Sequence, residues 1–209
     1  MSIKITPADV MIIVDVQNDF CPGGALPTAD GDKVIPVINA VARHFENVVL
    51  TQDWHPRGHA SFASTHGKKP METVDMPYGK QMLWPDHVVQ GTHGAEFHPK
   101  LNVQNAQLII RKGYNKDIDS YSAFCMTDGT TRTGLAGYLR ERGIKRVFIG
   151  GCAIDYCVGG LAVDAIAGGF ETFIIDDATA SIDPAGSAIK AWNDIKVAGV
   201  TRVSSAEIS

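Results

Sequence analysis

Arg146-Val147-Phe148-Ile149-Gly150-Gly151, running on into Cys152-Ala153-Ile154-Asp155-Tyr156-Cys157, is the stretch whose reading decides the fold. A short apolar run closed by two glycines reads as a buried strand ending in a tight turn. Beyond it, Val158, Leu161, Ala162, Ala165 and Ile166 recur at helical spacing and stop at Gly168-Gly169, which predicts a helix over Asp155 to Ala167. Cys157 then lies in the first turn of a helix that follows a strand. Unpaired backbone N–H groups there favour an anion, so the position predicts a lowered thiol pKa and a nucleophilic thiolate. The ordinary alternative for any single cysteine is a buried structural thiol.

The same alternation extends in both directions. Apolar, β-branched runs predict strands at Val10 to Val14, Val48 to Thr51, Leu108 to Arg111, Val147 to Ile149, Thr172 to Ile175 and Val200 to Val203. Helical patterns fall near Lys33 to Phe45, Gly134 to Arg142, Asp155 to Ala167 and Ala185 to Val197. Strands alternating with helices, each strand nearly continuous in apolar residues, indicate a parallel sheet covered on both faces. The expectation is an α/β protein with a three-layer open sheet of about six mostly parallel strands. With 209 residues and 44% hydrophobic content, the chain is long enough for one well-buried domain and short for two, so residues 1–209 are expected to form a single domain. One segment breaks the rhythm: 54–100 holds six of the seven histidines and five of the ten prolines. A loop that long is usually functional or disordered, and its aromatic and histidine content argues for an ordered excursion over one end of the sheet.

A net charge of -4 with no basic surplus and no charge block argues against nucleic acid as a partner. No signal-peptide core and no run of membrane-spanning length are present, so no membrane association is expected. Cys21, Cys125, Cys152 and Cys157 form no CxxC pair or zinc-ribbon spacing; the expectation is a cytoplasmic protein with reduced thiols.

In open parallel sheets, ligands bind beyond the carboxyl ends of the strands. Asp15 follows the first strand, Asp53 and His55 the second, Lys112 the third, and Gly150-Gly151 with Cys157 the fourth. Alone, Asp15 is an ordinary turn or capping residue and Lys112 a solvated side chain. Together, an acid, a lysine and a thiol on one rim make a proton acceptor, a charge partner and a nucleophile. Asp53-x-His55 adds a metal motif, because residues i and i+2 of an extended segment point the same way. The pair suits zinc, iron or manganese. His87, stiffened by Pro85, is the candidate third ligand. His59 is an open fourth, while His66, His93 and His98 read as surface or packing residues.

These motifs resemble the nicotinamidases (pyrazinamidases) of the isochorismatase-like hydrolase superfamily. The markers are Ile13-Val14-Asp15-Val16-Gln17-Asn18-Asp19-Phe20 with Gly23-Gly24, then Asp53-Trp54-His55-Pro56, Trp84-Pro85-Asp86-His87, Lys112-Gly113 and Ala153-Ile154-Asp155-Tyr156-Cys157. The resemblance covers nearly the whole chain. Carbamoylsarcosine and ureidoacrylate amidases keep the Asp-Lys-Cys trio without the Asp-x-His motif, and isochorismatases lack the cysteine too, so the nicotinamidase branch is favoured. Two departures stand out. Ile154 replaces the usual threonine, and Val158-Gly159-Gly160 puts two glycines behind the cysteine, each costing roughly 1 kcal/mol in a helix interior.

The resemblance implies the isochorismatase-like hydrolase fold and hydrolysis of nicotinamide, with pyrazinamide as a second substrate, to the carboxylic acid and ammonia in NAD salvage. It implies Asp15, Lys112 and Cys157 as catalytic residues, with the backbone N–H groups of Ala153 and Cys157 as oxyanion donors and a cis peptide before Ala153. One divalent metal, zinc first with iron or manganese also suited, is implied at Asp53, His55 and His87, binding the ring nitrogen. Phe20, Leu26, Trp84 and Tyr121 are implied as ring-packing residues, against the plain reading of core side chains. The oligomeric state, a homo-oligomer among the options, is left open. Two other classes compete: a metallohydrolase in which Cys157 is structural, and a non-catalytic small-molecule binder.

Overall fold

The computed structural model describes residues 2–209. Among these described residues, eight strands and four α-helices follow one another. The strands are β1 (Asp9–Val14), β2 (Asn47–Asp53), β3 (Thr73–Met76), β4 (Gly79–Met82), β5 (Ala106–Lys112), β6 (Arg146–Cys152), β7 (Glu171–Ala180) and β8 (Thr201–Val203). The helices are α1 (Val34–Val41), α2 (Leu135–Glu141), α3 (Gly159–Ala167) and α4 (Ser187–Val197). Six strands form one sheet in the order β5-β2-β1-β6-β7-β8, and every pairing within it is parallel.

Alternation along the central strands divides the core in two. Met11 and Ile13 of β1 and Phe148 of β6 face one cluster, together with Val34, Ile35, Ile38 and Val41 of α1. Val10, Ile12 and Val14, with Val147 and Ile149, face the other, against Leu135 and Leu139 of α2 and Leu161, Ala162 and Ala165 of α3. Both faces of β1 are therefore apolar, and all six of its residues are buried. That is the pattern of a strand sandwiched between two helical layers. Truncating a fully buried residue such as Ile35 to alanine removes about 2–5 kcal/mol. The edge strand β5 alternates half-buried and exposed residues until Lys112, which is fully buried.

All six expected sheet strands are present, and most run further than the apolar runs suggest. β6 continues through Gly150-Gly151 to Cys152, so the glycines belong to the strand, not to a turn after it. The expected helix at Lys33 to Phe45 is α1 continued by a 3₁₀ turn at Ala42–His44. The helix expected from Asp155 begins instead as a π-helical turn, Ile154–Val158, which passes into α3. Within the 54–100 excursion, β3 and β4 pair as an antiparallel hairpin. Its strands, Thr-Val-Asp-Met and Gly-Lys-Gln-Met, are too short and polar to signal themselves.

The sheet order places the switch point between β1 and β6. The chain builds outward from β1 through β2 to β5, then returns to the other side of β1 with β6. Such a reversal opens a crevice at the carboxyl ends of the two central strands. Asp15 follows β1 and Cys157 follows β6, so they flank it.

Candidate active site

The end of β1 is bent. Asp15 lies at φ 48°, the left-handed region, which costs a non-glycine residue roughly 1–2 kcal/mol. Its side chain is wholly buried. Oδ1 accepts a hydrogen bond from Thr51 Oγ at 2.6 Å, and Oδ2 lies 2.8 Å from Lys112 Nζ. Oδ2 makes that ion pair but accepts no aligned hydrogen bond, so it is the oxygen with capacity for a proton.

Lys112 joins the groups on the rim. Its ammonium donates to Ser120 O at 3.0 Å and to Cys157 Sγ at 3.3 Å, and pairs with Asp53 Oδ1 at 3.1 Å as well as with Asp15. The Asp15 carboxylate and the Cys157 sulfur thus contact one ammonium from two sides. Burial alone would discharge the lysine, but Asp15 and Asp53 beside it hold its pKa well above the ordinary value. The Asp53 contact was not anticipated from sequence; it ties the acid–thiol pair to the metal motif.

The electrostatics correct one expectation. Burial pushes the Cys157 thiol well above its usual range, and Lys112 opposes this while Asp15 and Asp53 add to it. Position after a strand is outweighed by desolvation and two carboxylates, so the resting sulfur is a thiol. Burial likewise raises Asp15, against the pull of Lys112. A raised carboxyl is a stronger proton acceptor for a neighbouring thiol.

The π turn carrying Cys157 accounts for one of its two glycines. A Cβ on Gly159 would sit 2.5 Å from Ile154 O, because the widened turn brings that carbonyl inward. At Gly160 a Cβ would meet only ordinary contacts, 3.5 Å and beyond, and nothing in the structure explains it. The Cys152–Ala153 peptide is cis.

Asp53, His55 and His87 come together at the other end of the site. Asp53 Oδ2 lies 3.2 Å from His55 Nε2 and 3.9 Å from His87 Nε2, and one ligand atom from each falls within 4.8 Å of the others. Both rings are oriented for ligation. His55 Nδ1 donates to Gly113 O at 2.9 Å and His87 Nδ1 to Pro85 O at 2.8 Å. In its neutral form each ring keeps its Nε2 lone pair for the cluster, the arrangement metal-binding histidines use. Against burial, Asp53 raises the His55 pKa, so a metal would take the place of a proton on that ring. Burial, then the neighbouring His55, lowers His87 to about 4, which keeps it neutral. Burial opposes ionisation of Asp53, yet His55 and Lys112 hold its carboxyl far below the usual range. A carboxylate and two imidazoles whose Nε2 atoms face it fit a divalent metal.

His59 is turned the other way. It stacks on His55 with centroids 4.0 Å apart, but its Nδ1 accepts from Ser61 N–H at 3.2 Å. The neutral ring then carries its hydrogen on Nε2, which is buried without a partner, and presents a donor instead of a lone pair. Asp119 forms a second possible cluster with His55 and His59, but it would compete for the same His55 ring.

Gly113 makes the junction possible. It sits at φ +65°, and a Cβ there would lie 2.5 Å from His55 Cε1 and 2.6 Å from Asp53 Oδ1.

Between the cluster and the sulfur lies a narrow pocket. Phe20, Leu26, Trp84 and Tyr121, all expected from sequence, line it together with Cys157, Asp53, His55 and His87. Asp119, Tyr156 and Ile182 line it too and were missed. Tyr156 lies inside the segment that flags Cys157, but Asp119 and Ile182 sit in loops with no periodic pattern. Trp84 and Tyr121 are joined by a 3.2 Å hydrogen bond, and Trp84 packs edge-on to Tyr156 at 4.6 Å. A wider groove lined by Met126, Arg132, Val163 and Lys190 opens behind the π turn, away from Asp15, Lys112 and the histidines.

Comparison with known proteins adds to this geometry. Residues 9–207 match the isochorismatase domain. Over 199 residues the chain is 53% identical to a nicotinamidase of Acinetobacter baylyi, covering 95% of this chain and 93% of that protein. Among solved structures it is similar to a nicotinamidase/pyrazinamidase of Acinetobacter baumanii, with TM-score 0.96, 55% identity and coverage of 98% and 99% of the two chains. It also resembles a pyrazinamidase of Pyrococcus horikoshii in complex with zinc, with TM-score 0.77, 39% identity and coverage of 95% and 99%.

Proposed function

This chain belongs to the isochorismatase domain family, and from that premise we propose that it hydrolyses nicotinamide, and pyrazinamide as an analogue, to the carboxylic acid and ammonia. The observation that carries the reading is the sharing of Lys112 by Asp15, Cys157 and Asp53. It puts a nucleophile, a proton acceptor and a metal motif around one pocket bounded by aromatic side chains.

Asp15 takes the Cys157 proton on Oδ2 as the sulfur bonds to the carboxamide carbon. The negative charge that develops on the amide oxygen is held by the N–H groups of Ala153 and Cys157; one such donor is worth about 3–4 kcal/mol of barrier. Protonated Asp15 returns its proton to the departing nitrogen, which leaves as ammonia and gives a thioester on Cys157. Asp15 then takes a proton from water as the water oxygen attacks the thioester, and passes it to the sulfur as the C–S bond breaks, which restores the thiol and releases the acid. Lys112 stays charged throughout and holds Asp15 and Cys157 in register. Phe20, Leu26, Trp84 and Tyr121 enclose the ring.

A divalent metal at Asp53, His55 and His87, zinc on the analogy of the Pyrococcus horikoshii pyrazinamidase, supplies when bound a Lewis-acid anchor for the ring nitrogen, contributing orientation and not the nucleophile. His59 buttresses His55 and does not ligate. Because the reaction needs a free thiol at Cys157, a reducing compartment such as the cytoplasm belongs to the reading; Cys21, Cys125, Cys152 and Cys157 are all free and buried. No helix among the described residues is long and apolar enough to cross a membrane.

The test is ammonia release from nicotinamide by native protein, chelator-treated protein and Cys157→Ala. Native protein is expected to turn over and Cys157→Ala to be inactive while still binding nicotinate. Turnover by metal-loaded Cys157→Ala would instead favour the reading in which Cys157 is structural.

A further inference from the structure

Thr51 has no assigned part in this chemistry, yet its hydroxyl contacts one residue only, and twice. It lies in β2, beside β1, one position beyond the Ile13↔Leu50 pair, and it is completely buried. Its Oγ accepts the backbone N–H of Asp15 at 3.1 Å and donates to Asp15 Oδ1 at 2.6 Å. One side-chain oxygen thus holds both the main chain and the carboxylate of the same residue. The main-chain bond falls where the backbone has turned into the left-handed region, so it fixes the bend that aims the side chain. The side-chain bond occupies Oδ1 and leaves Oδ2 towards Lys112.

We propose that Thr51 is a positioning residue that selects Oδ2 of Asp15 as the oxygen that receives and returns the proton. A hydroxyl has a single hydrogen, and here it is committed to Oδ1. Protonation of Oδ1 would force that hydrogen away from its buried acceptor, whereas protonation of Oδ2 leaves it in place. The Thr51 bond therefore persists through both states of the acid, and the carboxyl does not rotate between accepting the thiol proton and delivering it to the leaving nitrogen. Each turnover moves the proton along one path.

The inference rests on Asp15 being the proton acceptor for Cys157. It is tested with Thr51→Val, which keeps the shape and loses the hydroxyl, and Thr51→Ser, which keeps the hydroxyl. Folding is checked by circular dichroism and metal content is measured beside steady-state kinetics on nicotinamide. Thr51→Val is expected to lose about 100-fold in kcat, the low end for positioned proton transfer, with KM little changed. Thr51→Ser is expected to recover most of kcat. A folded Thr51→Val with near-native kcat, a loss carried by KM, or a Thr51→Ser as impaired as Thr51→Val would each overturn the assignment. If Thr51→Val does not fold, Thr51→Ala takes its place against Thr51→Ser, and equal kcat for those two overturns it. Asp15→Asn, run alongside, separates the premise from the inference: near-native turnover there refutes Asp15 as the base, whereas an inactive Asp15→Asn with a fully active Thr51→Val refutes only the role of Thr51.

Discussion

Lys112→Met removes the one cation that faces two buried carboxylates and a sulfur, and its effect can be worked from the geometry. The ammonium lies 2.8 Å from Asp15 Oδ2, 3.1 Å from Asp53 Oδ1 and 3.3 Å from Cys157 Sγ. Deleting one partner of a buried ion pair costs about 3–5 kcal/mol when the remaining charge stays uncompensated. The protein can avoid most of that cost by protonating Asp15, whose carboxyl burial already raises. Protonated Asp15 cannot accept the thiol proton, so stability is partly kept and activity is lost. An adjacent cation typically lowers a carboxyl pKa by about 1–3 units, and each unit above the assay pH removes a factor of about ten from the competent fraction. A shift of that size corresponds to a loss of about 10- to 10³-fold in kcat/KM below the Asp15 titration range. Because the competent form is the deprotonated one, the residual rate should go on climbing with pH further into the alkaline range than the wild-type rate does. Ammonia release followed across pH, with metal content measured in parallel, reads both effects. A Met variant with wild-type kcat/KM and an unshifted profile would refute the reasoning.

Other expectations are independent of that one. Gly113→Ala forces a Cβ to 2.5 Å from His55 Cε1 and 2.6 Å from Asp53 Oδ1; metal affinity should fall about 10- to 100-fold, as for other disturbances behind a ligand, and unchanged affinity in a chelator titration would contradict it. Against burial, Asp53 raises the His55 pKa, so metal uptake should release a proton from that ring and affinity should weaken as pH falls from about 8 to 5; an affinity independent of pH over that range in a chelator titration would contradict it. Gly159→Ala should destabilise and impair turnover through its clash with Ile154 O, whereas Gly160→Ala, facing only ordinary contacts, should gain about 0.4–1 kcal/mol from reduced freedom of the unfolded chain. Urea denaturation of the two variants distinguishes them.

What the sequence disclosed and what it concealed follow from the range of the forces involved. The strands were legible because burial on both faces makes a run such as Val10 to Val14 apolar throughout. Asp15, Lys112, Cys157, Asp53 and His55 were legible because each sits at or just past a strand end in a motif of its own, and His87 because it closes Trp84-Pro85-Asp86-His87 in the histidine-rich excursion. Three things depended on contacts between distant segments and left no local mark. The Lys112–Asp53 pair joins β5 to β2. Asp119 reaches the pocket from an irregular loop, where its carboxylate accepts from Gln81 at 2.7 Å. The state of the Cys157 sulfur depends on desolvation and on carboxylates of other strands, so its place in the chain alone gave the wrong direction. The π turn was hidden too, since helical spacing does not distinguish it from an α turn over five residues.

The β1–β6 pairing has a consequence for how the protein is made. Those strands are neighbours in the sheet, with Ile13 opposite Gly150, yet most of the chain is synthesised between them. Non-local pairing of this kind forms late, after the entropy of closing a long loop has been overcome. A nascent chain that has not yet emitted β6 from the ribosome holds Asp15, Lys112 and the histidines but lacks the sulfur they serve. On the proposed mechanism, proton acceptor and thiol therefore meet only in the finished sheet, and a chain without β6 would have no turnover.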